Sequence, residues 1–168
     1  MATKTKPTSK ASTRTAKASK STNTNGTALS IASLEVTSED NYFGIPKKIA
    51  SFKNARYVIV QAGYEHTVSY GGGTAGGPRA IRTASQQVEL YDDQLDAEIV
   101  PKAGVCTLDE LNCDCDGEEI NKRIYAVSKQ VVAANKIPVL IGGEHTVSYG
   151  NVKACWEKHK DLWILHFD

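Results

Sequence analysis

Short apolar runs alternate with helical periods along most of this chain. Residues 56–63 (RYVIVQAG) are a β-branched run that ends in glycine, which predicts a buried strand. Residues 137–143 (IPVLIGG) are almost continuously apolar, as expected of a strand buried on both faces. Residues 161–168 (DLWILHFD) predict a further apolar strand. Between these runs, residues 117–135 have a helical period whose apolar face is formed by Ile120, Ile124, Val127 and Val131.

Further elements complete an alternating order of strands and helices. Pro78 suits the first turn of a helix over residues 78–87, and a second helix is predicted from the region after Gly150 to about Lys158. Short candidate strands lie at residues 88–92 and 104–109. This order predicts an α/β fold in which a mainly parallel sheet has helices on both faces, a three-layer sandwich over residues 35–168.

Residues 1–34 differ in composition from the rest of the chain. They contain no acidic residue and six cations, among many Thr, Ser and Ala residues. Such a segment has too little apolar surface to offset the entropy of ordering it, so we expect a disordered basic tail. An organellar transit peptide is the alternative, although such peptides are usually Arg-rich and the cations here are mostly Lys.

The charge balance and the hydropathy restrict the class of protein. The whole chain has 20 basic and 19 acidic residues and a net charge of +1, so without the six cations of the tail the remainder is mildly acidic, near −5. This argues against a globule that binds nucleic acid. No run reaches the length of a membrane span, and no signal-peptide core follows the basic start. We therefore expect an intracellular protein with no membrane partner, cytoplasmic or, as the alternative, mitochondrial.

The four cysteines do not form a zinc framework. Cys113 and Cys115 lie one residue apart in NCDCDG, a spacing that suits a polar loop better than a zinc knuckle. The glycines of GGGTAGG lack both the dinucleotide-binding spacing and the P-loop Gly-Lys-Ser/Thr ending. A nucleotide-binding domain is therefore disfavoured.

The heptapeptide EHTVSYG occurs twice, at residues 65–71 and 144–150. The first copy runs into the glycine-rich loop 71–77, whereas the second follows an apolar strand and leads into a helix. A duplicated unit would repeat these surroundings, so we expect two unlike places that share a string.

The strand ends carry the candidate chemistry. His145 follows one predicted strand and Asp168 closes the next, so the carboxyl ends of a parallel sheet would bring them to one rim. Imidazole and carboxylate together suit zinc, manganese or iron, and a carboxylate can bridge two metals. The alternative is a pair of hydrogen-bonded strand-end caps. Because the sequence stops on an apolar strand, the domain is expected to be truncated there.

The succession YEHTVSYGGGTAGGPRAIR, VLIGGEHTVSYG and WILHFD resembles the amino-terminal half of the ureohydrolase family, which includes arginase and agmatinase. The resemblance implies an arginase-like fold and a hydrolase with two Mn²⁺ ions that converts a guanidino compound, agmatine favoured, into an amine and urea. His145 corresponds to the histidine ligand of GGxHS and Asp168 to the first aspartate of DAHxD. Thr146 and Glu144 depart from the usual Ser and Asp of that motif but keep the chemical type.

The same resemblance implies roles for further residues and partners for the protein. The catalytic residues are expected after Asp168, so this segment alone is expected to be inactive. His66, Ser69 and Gly73 are candidates for a loop at the substrate entrance, and His166 is expected to support the site without binding metal. The implied partners are a small guanidino substrate and, in the complete protein, further copies in a homo-oligomer. Arginase or guanidinobutyrase activity is the alternative enzyme, and an inactive fragment or pseudoenzyme that acts as an interaction module is the alternative class.

Overall fold

The computed structural model describes residues 29–38 and 40–167. The helices are α1 (Ile31–Leu34), α2 (Lys47–Ala50), α3 (Gly77–Ser85), α4 (Ile99–Ala103), α5 (Gly117–Ala133) and α6 (Ser148–Lys158). The strands are β1 (Tyr57–Ala62), β2 (Tyr91–Asp92), β3 (Ala97–Glu98), β4 (Val105–Glu110) and β5 (Ile137–Gly142). Three short 3₁₀ turns cover Tyr42–Gly44, Thr74–Gly76 and His145–Val147.

The central sheet of the described residues has three parallel strands in the order β4-β1-β5. Ile59 pairs with Val139 and Ala62 with Gly142, so β1 and β5 end level with each other. A separate antiparallel pair joins β2 to β3. Because parallel strands point the same way, the loops after β1, β4 and β5 share one rim of the sheet.

One face of the sheet packs against α5, with α6 beside that helix. The four apolar residues predicted for the α5 face, Ile120, Ile124, Val127 and Val131, are all fully buried. They form one core with Val58, Val60 and Leu108 of the sheet. The helix begins where predicted because the Asp116 side chain accepts a hydrogen bond from the Glu119 amide at 2.8 Å.

The opposite face of the sheet packs against α3 and the Tyr42–Gly44 turn. Successive residues of a strand point to opposite faces, so Ile59 of β1 joins a second core with Tyr42 and Val105. The Tyr42 hydroxyl donates to the Pro78 carbonyl at 2.7 Å, and burial raises the pKa of Tyr42 to about 12. Helices on both faces of a parallel sheet confirm the predicted α/β architecture.

The predicted boundary of the tail at residue 34 is wrong. Residues 1–28 lie outside the described part of the chain, but Leu29, Ile31 and Leu34 pack against the core and Ile31 is buried. Leu108 also pairs with Glu35 in an isolated bridge. The apolar side chains of this stretch offset the entropy of ordering it.

Two strand predictions near the end of the chain need correction. Residues 162–167 have no regular structure, and Trp163 and Phe167 are each 89% exposed. β5 is an edge strand of the described sheet, so Ile137 and Val139 are partly exposed instead of buried on both faces. The two differences are linked: residues 162–167 do not pair with β5, which leaves β5 at the free edge of the described sheet.

Candidate functional site

His145 lies at the carboxyl rim of the sheet, three residues after the end of β5. It opens the 3₁₀ turn His145–Val147, and its side chain is exposed. The His166 ring approaches it edge-on, with 6.2 Å between ring centroids and 84° between ring planes. The structure therefore brings two imidazoles together where the sequence predicts a metal site.

The backbone before His145 packs tightly against the end of β1. The Gly143 amide donates to the Ala62 carbonyl at 3.1 Å, and the Glu144 amide donates to the Tyr64 carbonyl at 3.0 Å. A Cβ on Gly143 would lie 2.1 Å from the Tyr64 carbonyl oxygen, closer than any real contact. Glycine is therefore required here by the close approach of the two loops.

The Glu144 carboxylate holds the loop that follows β1. It accepts hydrogen bonds from the Thr67 amide and the Thr67 hydroxyl, both at 2.5 Å, and from the His66 amide. The Thr67 side chain, followed by the Thr67 amide, lowers the pKa of Glu144. The second copy of EHTVSYG thus binds the backbone of the first.

The Glu65 carboxylate, at the same position in the first copy, binds a different partner. It accepts from the Gly73 amide at 2.9 Å, the Thr74 hydroxyl at 2.9 Å and the Ala75 amide at 2.8 Å. The Ala75 amide, followed by the Gly73 amide, lowers the pKa of Glu65. Gly73 has φ 118°, a backbone conformation that favours glycine, so its residue type and the Glu65 contacts together shape the glycine-rich loop.

His66 stacks on a tyrosine that the sequence analysis did not single out. The rings of Tyr64 and His66 are nearly parallel, with 4.6 Å between centroids. Tyr64 is buried, and its burial, followed by the nearby Glu144 carboxylate, raises the pKa of its hydroxyl. His66 itself is exposed, so its free ring face is available at the rim.

The predicted site residues fall into two neighbouring loops. His66, Ser69 and Gly73 lie in the exposed loop after β1, and His145 lies in the adjacent loop after β5. Asp168 lies outside the described residues, so its pairing with His145 stays a prediction. Across residues 29–38 and 40–167, no group of three or more His, Cys, Asp or Glu side chains could hold a metal ion.

The cysteine loop, residues 112–116, leads from β4 into α5. Burial raises the pKa of the Cys113 thiol to about 12, and burial also raises the pKa of Cys115. All four cysteines are free. In the structure the loop places Asp116 at the start of α5, which agrees with the prediction of a polar loop.

Two carboxylates of this rim were missed as functional residues by the sequence analysis. The motif predicts Glu144 as a replacement for Asp, and no pattern in the sequence predicts a role for Glu65. The available signal was that both copies of the heptapeptide begin with glutamate next to a glycine-bearing turn. Which amides each glutamate would bind depends on contacts between loops, which the repeated string does not encode.

Comparison with known proteins identifies the family. The model of the Arginase family matches residues 55–168, about two thirds of the chain. With a parallel α/β sheet and a histidine-bearing turn at its carboxyl rim already in place, the match is decisive: the chain belongs to the arginase family.

Curated relatives carry related names. The chain is 33% identical over 126 residues to agmatinase of Bacillus cereus, an alignment that covers 73% of this chain and 42% of the relative. It is 32% identical to N(1)-aminopropylagmatine ureohydrolase of Synechocystis, covering 70% of this chain and 40% of the relative. It is 30% identical to the human mitochondrial guanidino acid hydrolase, covering 55% of this chain and 26% of that protein.

Solved structures agree with the fold. The agmatine ureohydrolase of Thermoplasma volcanium superimposes with a TM-score of 0.58 at 28% identity, over 63% of this chain and 36% of that one. A candidate agmatinase from Clostridium difficile superimposes with a TM-score of 0.64 at 27% identity, over 70% of this chain and 43% of that one. The chain spans about two fifths or less of the length of these relatives.

Proposed function

We propose that this chain contributes to a ureohydrolase that converts a guanidino compound, agmatine favoured, into an amine and urea. One observation carries the proposal: the turn that bears His145 lies directly against the loop that bears His66, at the carboxyl rim of a parallel sheet. That rim is where α/β proteins build their sites. Family membership and relatives named agmatinase support the reaction class.

The described residues fit part of a metal site. His145 is exposed at the rim and free to offer a ring nitrogen, and Asp168 would add a carboxylate, but the described residues supply no complete ligand set. We propose His145 and Asp168 as ligands of a two-manganese centre, with the remaining ligands and the proton-transfer groups outside this set. Such a centre would lower the pKa of a bound water and so supply hydroxide, the strong nucleophile that the unreactive guanidinium carbon requires.

We propose that Glu65 and Glu144 serve the structure of the loops and not proton transfer. Glu65 and Glu144 each accept hydrogen bonds from loop amides and a threonine hydroxyl, and these contacts lower the pKa of both. A carboxylate stabilised in its charged form is a weak base. We therefore assign Glu65 and Glu144 to loop structure, and we propose His66, Ser69 and Gly73 as the part of the rim that faces the substrate.

Other guanidino substrates are the closest alternatives. Relatives named for N(1)-aminopropylagmatine and for guanidino acids show similar identity to this chain. Arginine and guanidinobutyrate carry a carboxylate at the end remote from the guanidinium, whereas agmatine carries an amine-bearing chain without one. Ligands for that end are not among the described contacts, so the substrate is settled by assay.

The test is urea release by manganese-loaded protein produced from the complete transcript. We expect urea and putrescine in equal amounts from agmatine, and less urea from arginine or guanidinobutyrate at matched concentrations. If arginine or guanidinobutyrate releases more urea than agmatine does, that compound becomes the proposed substrate. No urea from any of the three, or from N(1)-aminopropylagmatine, would refute the proposed enzyme.

A non-catalytic interaction module is the second candidate. It stays a candidate because the described residues hold only His145 of the proposed ligands. The codons that follow Asp168 in the transcript discriminate between the two: Ala-His-x-Asp would continue a metal-binding motif, whereas a stop codon would support the module. A cooperative melt of the 168-residue chain that manganese leaves unchanged would support the module too.

The cellular setting follows from the same proposal. We propose a homo-oligomer without nucleic-acid or membrane partners, in the cytoplasm or in mitochondria. No helix in the described ranges has the length and apolar character to cross a bilayer. Light scattering of the complete protein and imaging of a carboxyl-terminally tagged form would test the assembly and the compartment.

A further inference from the structure

Two glutamates that occupy the same position in two identical heptapeptides hold two successive loops. Glu144 holds His66 and Thr67 in the loop after β1. Glu65, the residue just before His66, holds Gly73 and Ala75 in the glycine-rich loop. The contacts therefore run in series from the turn of His145 to the start of α3.

The sheet fixes the two loop segments from which these contacts begin. β1 and β5 are paired up to Ala62 and Gly142, and the Gly143 and Glu144 amides continue the contact by donating to Ala62 and Tyr64. Beyond Tyr64, the chain leaves the sheet and no further ladder hydrogen bond can hold it. The Glu144 carboxylate supplies the hydrogen-bond acceptors there in place of a strand.

A carboxylate suits this position for a chemical reason. It presents two acceptor oxygens and no donor, and here it meets two backbone amides and one hydroxyl. Hydrogen bonds to a charged acceptor are stronger than neutral ones, which matters at an exposed rim where water competes. Glutamine would replace one acceptor with a donor, and aspartate would be shorter by one methylene.

We propose that Glu144 is a positioning residue: it fixes the backbone of His66 and Thr67 beside the His145 turn and, through Glu65, orders Gly73 to Ala75. The two copies of EHTVSYG therefore act in sequence. Glu144 of the second copy holds residues 66 and 67, and Glu65 of the first copy holds residues 73–75. The consequence for substrate binding rests on the proposed function, because His66 and Gly73 belong to the proposed substrate loop. The structural part of the proposal stands without it.

Amide hydrogen exchange measured by NMR on the full chain tests the structural part. In Glu144→Gln, we expect the protection factors of the His66 and Thr67 amides to fall by about tenfold or more. Those of Gly73 and Ala75 should also fall, by a smaller factor, because Glu65 loses its fixed neighbour. The matched variant Glu65→Gln should reduce protection at Gly73 and Ala75 and leave His66 and Thr67 unchanged.

A milder pair of variants covers the case in which Glu144→Gln fails to fold. Thr67 is exposed, so Thr67→Val removes one donor to Glu144 with little change in volume, and Thr67→Ser restores it. We expect partial loss of protection at His66 in the first variant and recovery in the second. Unchanged protection at His66 and Thr67 in Glu144→Gln, or in Thr67→Val if the former does not fold, would overturn the proposal. An effect of Glu144→Gln confined to residues 66 and 67 would overturn the proposal that Glu144 also orders Gly73 and Ala75 through Glu65.

Kinetics separate positioning from general support of the fold. If the protein releases urea from agmatine, Glu144→Gln should raise KM by about tenfold while kcat and bound manganese change by less than about twofold. Equal loss of kcat and bound manganese would contradict a positioning role for the substrate loop. If the wild-type protein releases no urea, the proposed function fails, while the exchange measurements still decide whether Glu144 orders the loop.

Discussion

Ala62 pairs with Gly142 where the parallel strands β1 and β5 end. The two copies of EHTVSYG begin just beyond this pair, at Glu65 and Glu144, so they lie side by side at one rim. Continuing the register would place Glu65 opposite His145 instead of Glu144, so the copies are one residue out of step. Glu144 contacts His66 and Thr67 of the neighbouring loop, whereas Glu65 contacts Gly73 and Ala75 of its own loop.

The close approach of the two loops predicts a strict requirement for glycine at position 143. A Cβ there would lie 2.1 Å from the Tyr64 carbonyl oxygen, which is backbone and cannot rotate away. We expect Gly143→Ala to lower the free energy of unfolding by about 1–3 kcal/mol, as overpacking usually does. Urea denaturation followed by circular dichroism would measure it.

Gly76 provides the matched control for this variant. No atom lies within 4 Å of a Cβ built there, and its φ of −78° suits any residue. Gly76→Ala should change stability by less than about 1 kcal/mol. Equal destabilisation by both variants would show that the Gly143 contact is not the cause.

The apolar face of α5 predicts a large cost for truncation at Ile124. This side chain is fully buried between the helix and the sheet. Ile124→Ala should lower the free energy of unfolding by about 2–5 kcal/mol through lost burial and a residual cavity. Ile81→Ala on the half-exposed side of α3 is the comparison, with an expected cost below about 1.5 kcal/mol. Similar costs at both positions would contradict the assigned core.

Acid should weaken the contact between α5 and α6. Glu157 accepts hydrogen bonds from the Tyr125 hydroxyl at 2.7 Å and contacts Lys129 at 3.2 Å, and these partners lower its pKa below the usual 4.5. A carboxylate whose pKa is lower in the folded state stabilises the fold at pH values above its unfolded-state pKa. This stabilisation is lost as the pH falls through the folded-state pKa. Between about pH 5 and pH 3, Tm should therefore fall less in Glu157→Gln than in the wild type. An equal fall in Tm for the two proteins would contradict the contacts assigned to Glu157.

Local patterns in the sequence were sufficient to predict β1 and α5. The β-branched run 56–63 became β1, and the helical period over residues 117–135 became α5 with the predicted buried face. Both patterns report burial of side chains within one element, and both elements pack against a described neighbour. Where those conditions hold, periodicity is a reliable guide.

The remaining features depend on contacts between distant segments. The apolar run 162–167 predicted a strand, but a strand also needs main-chain partners, which hydropathy does not report. The hydrogen bonds from Thr67 to Glu144 join residues 77 positions apart, so neither motif alone could reveal them. The sequence indicated that the two heptapeptides lie in unlike places, and the contacts of Glu65 and Glu144 show how they differ.

The most direct test of this account compares two histidines that share the same heptapeptide. Manganese bound per chain would be measured by equilibrium dialysis and elemental analysis for the complete protein and for His145→Ala and His66→Ala. We predict that His145→Ala lowers manganese affinity by about tenfold or more, because a ligand is lost, whereas His66→Ala binds as the wild type does. Equal loss of manganese in both variants would contradict the separate roles assigned to the two copies.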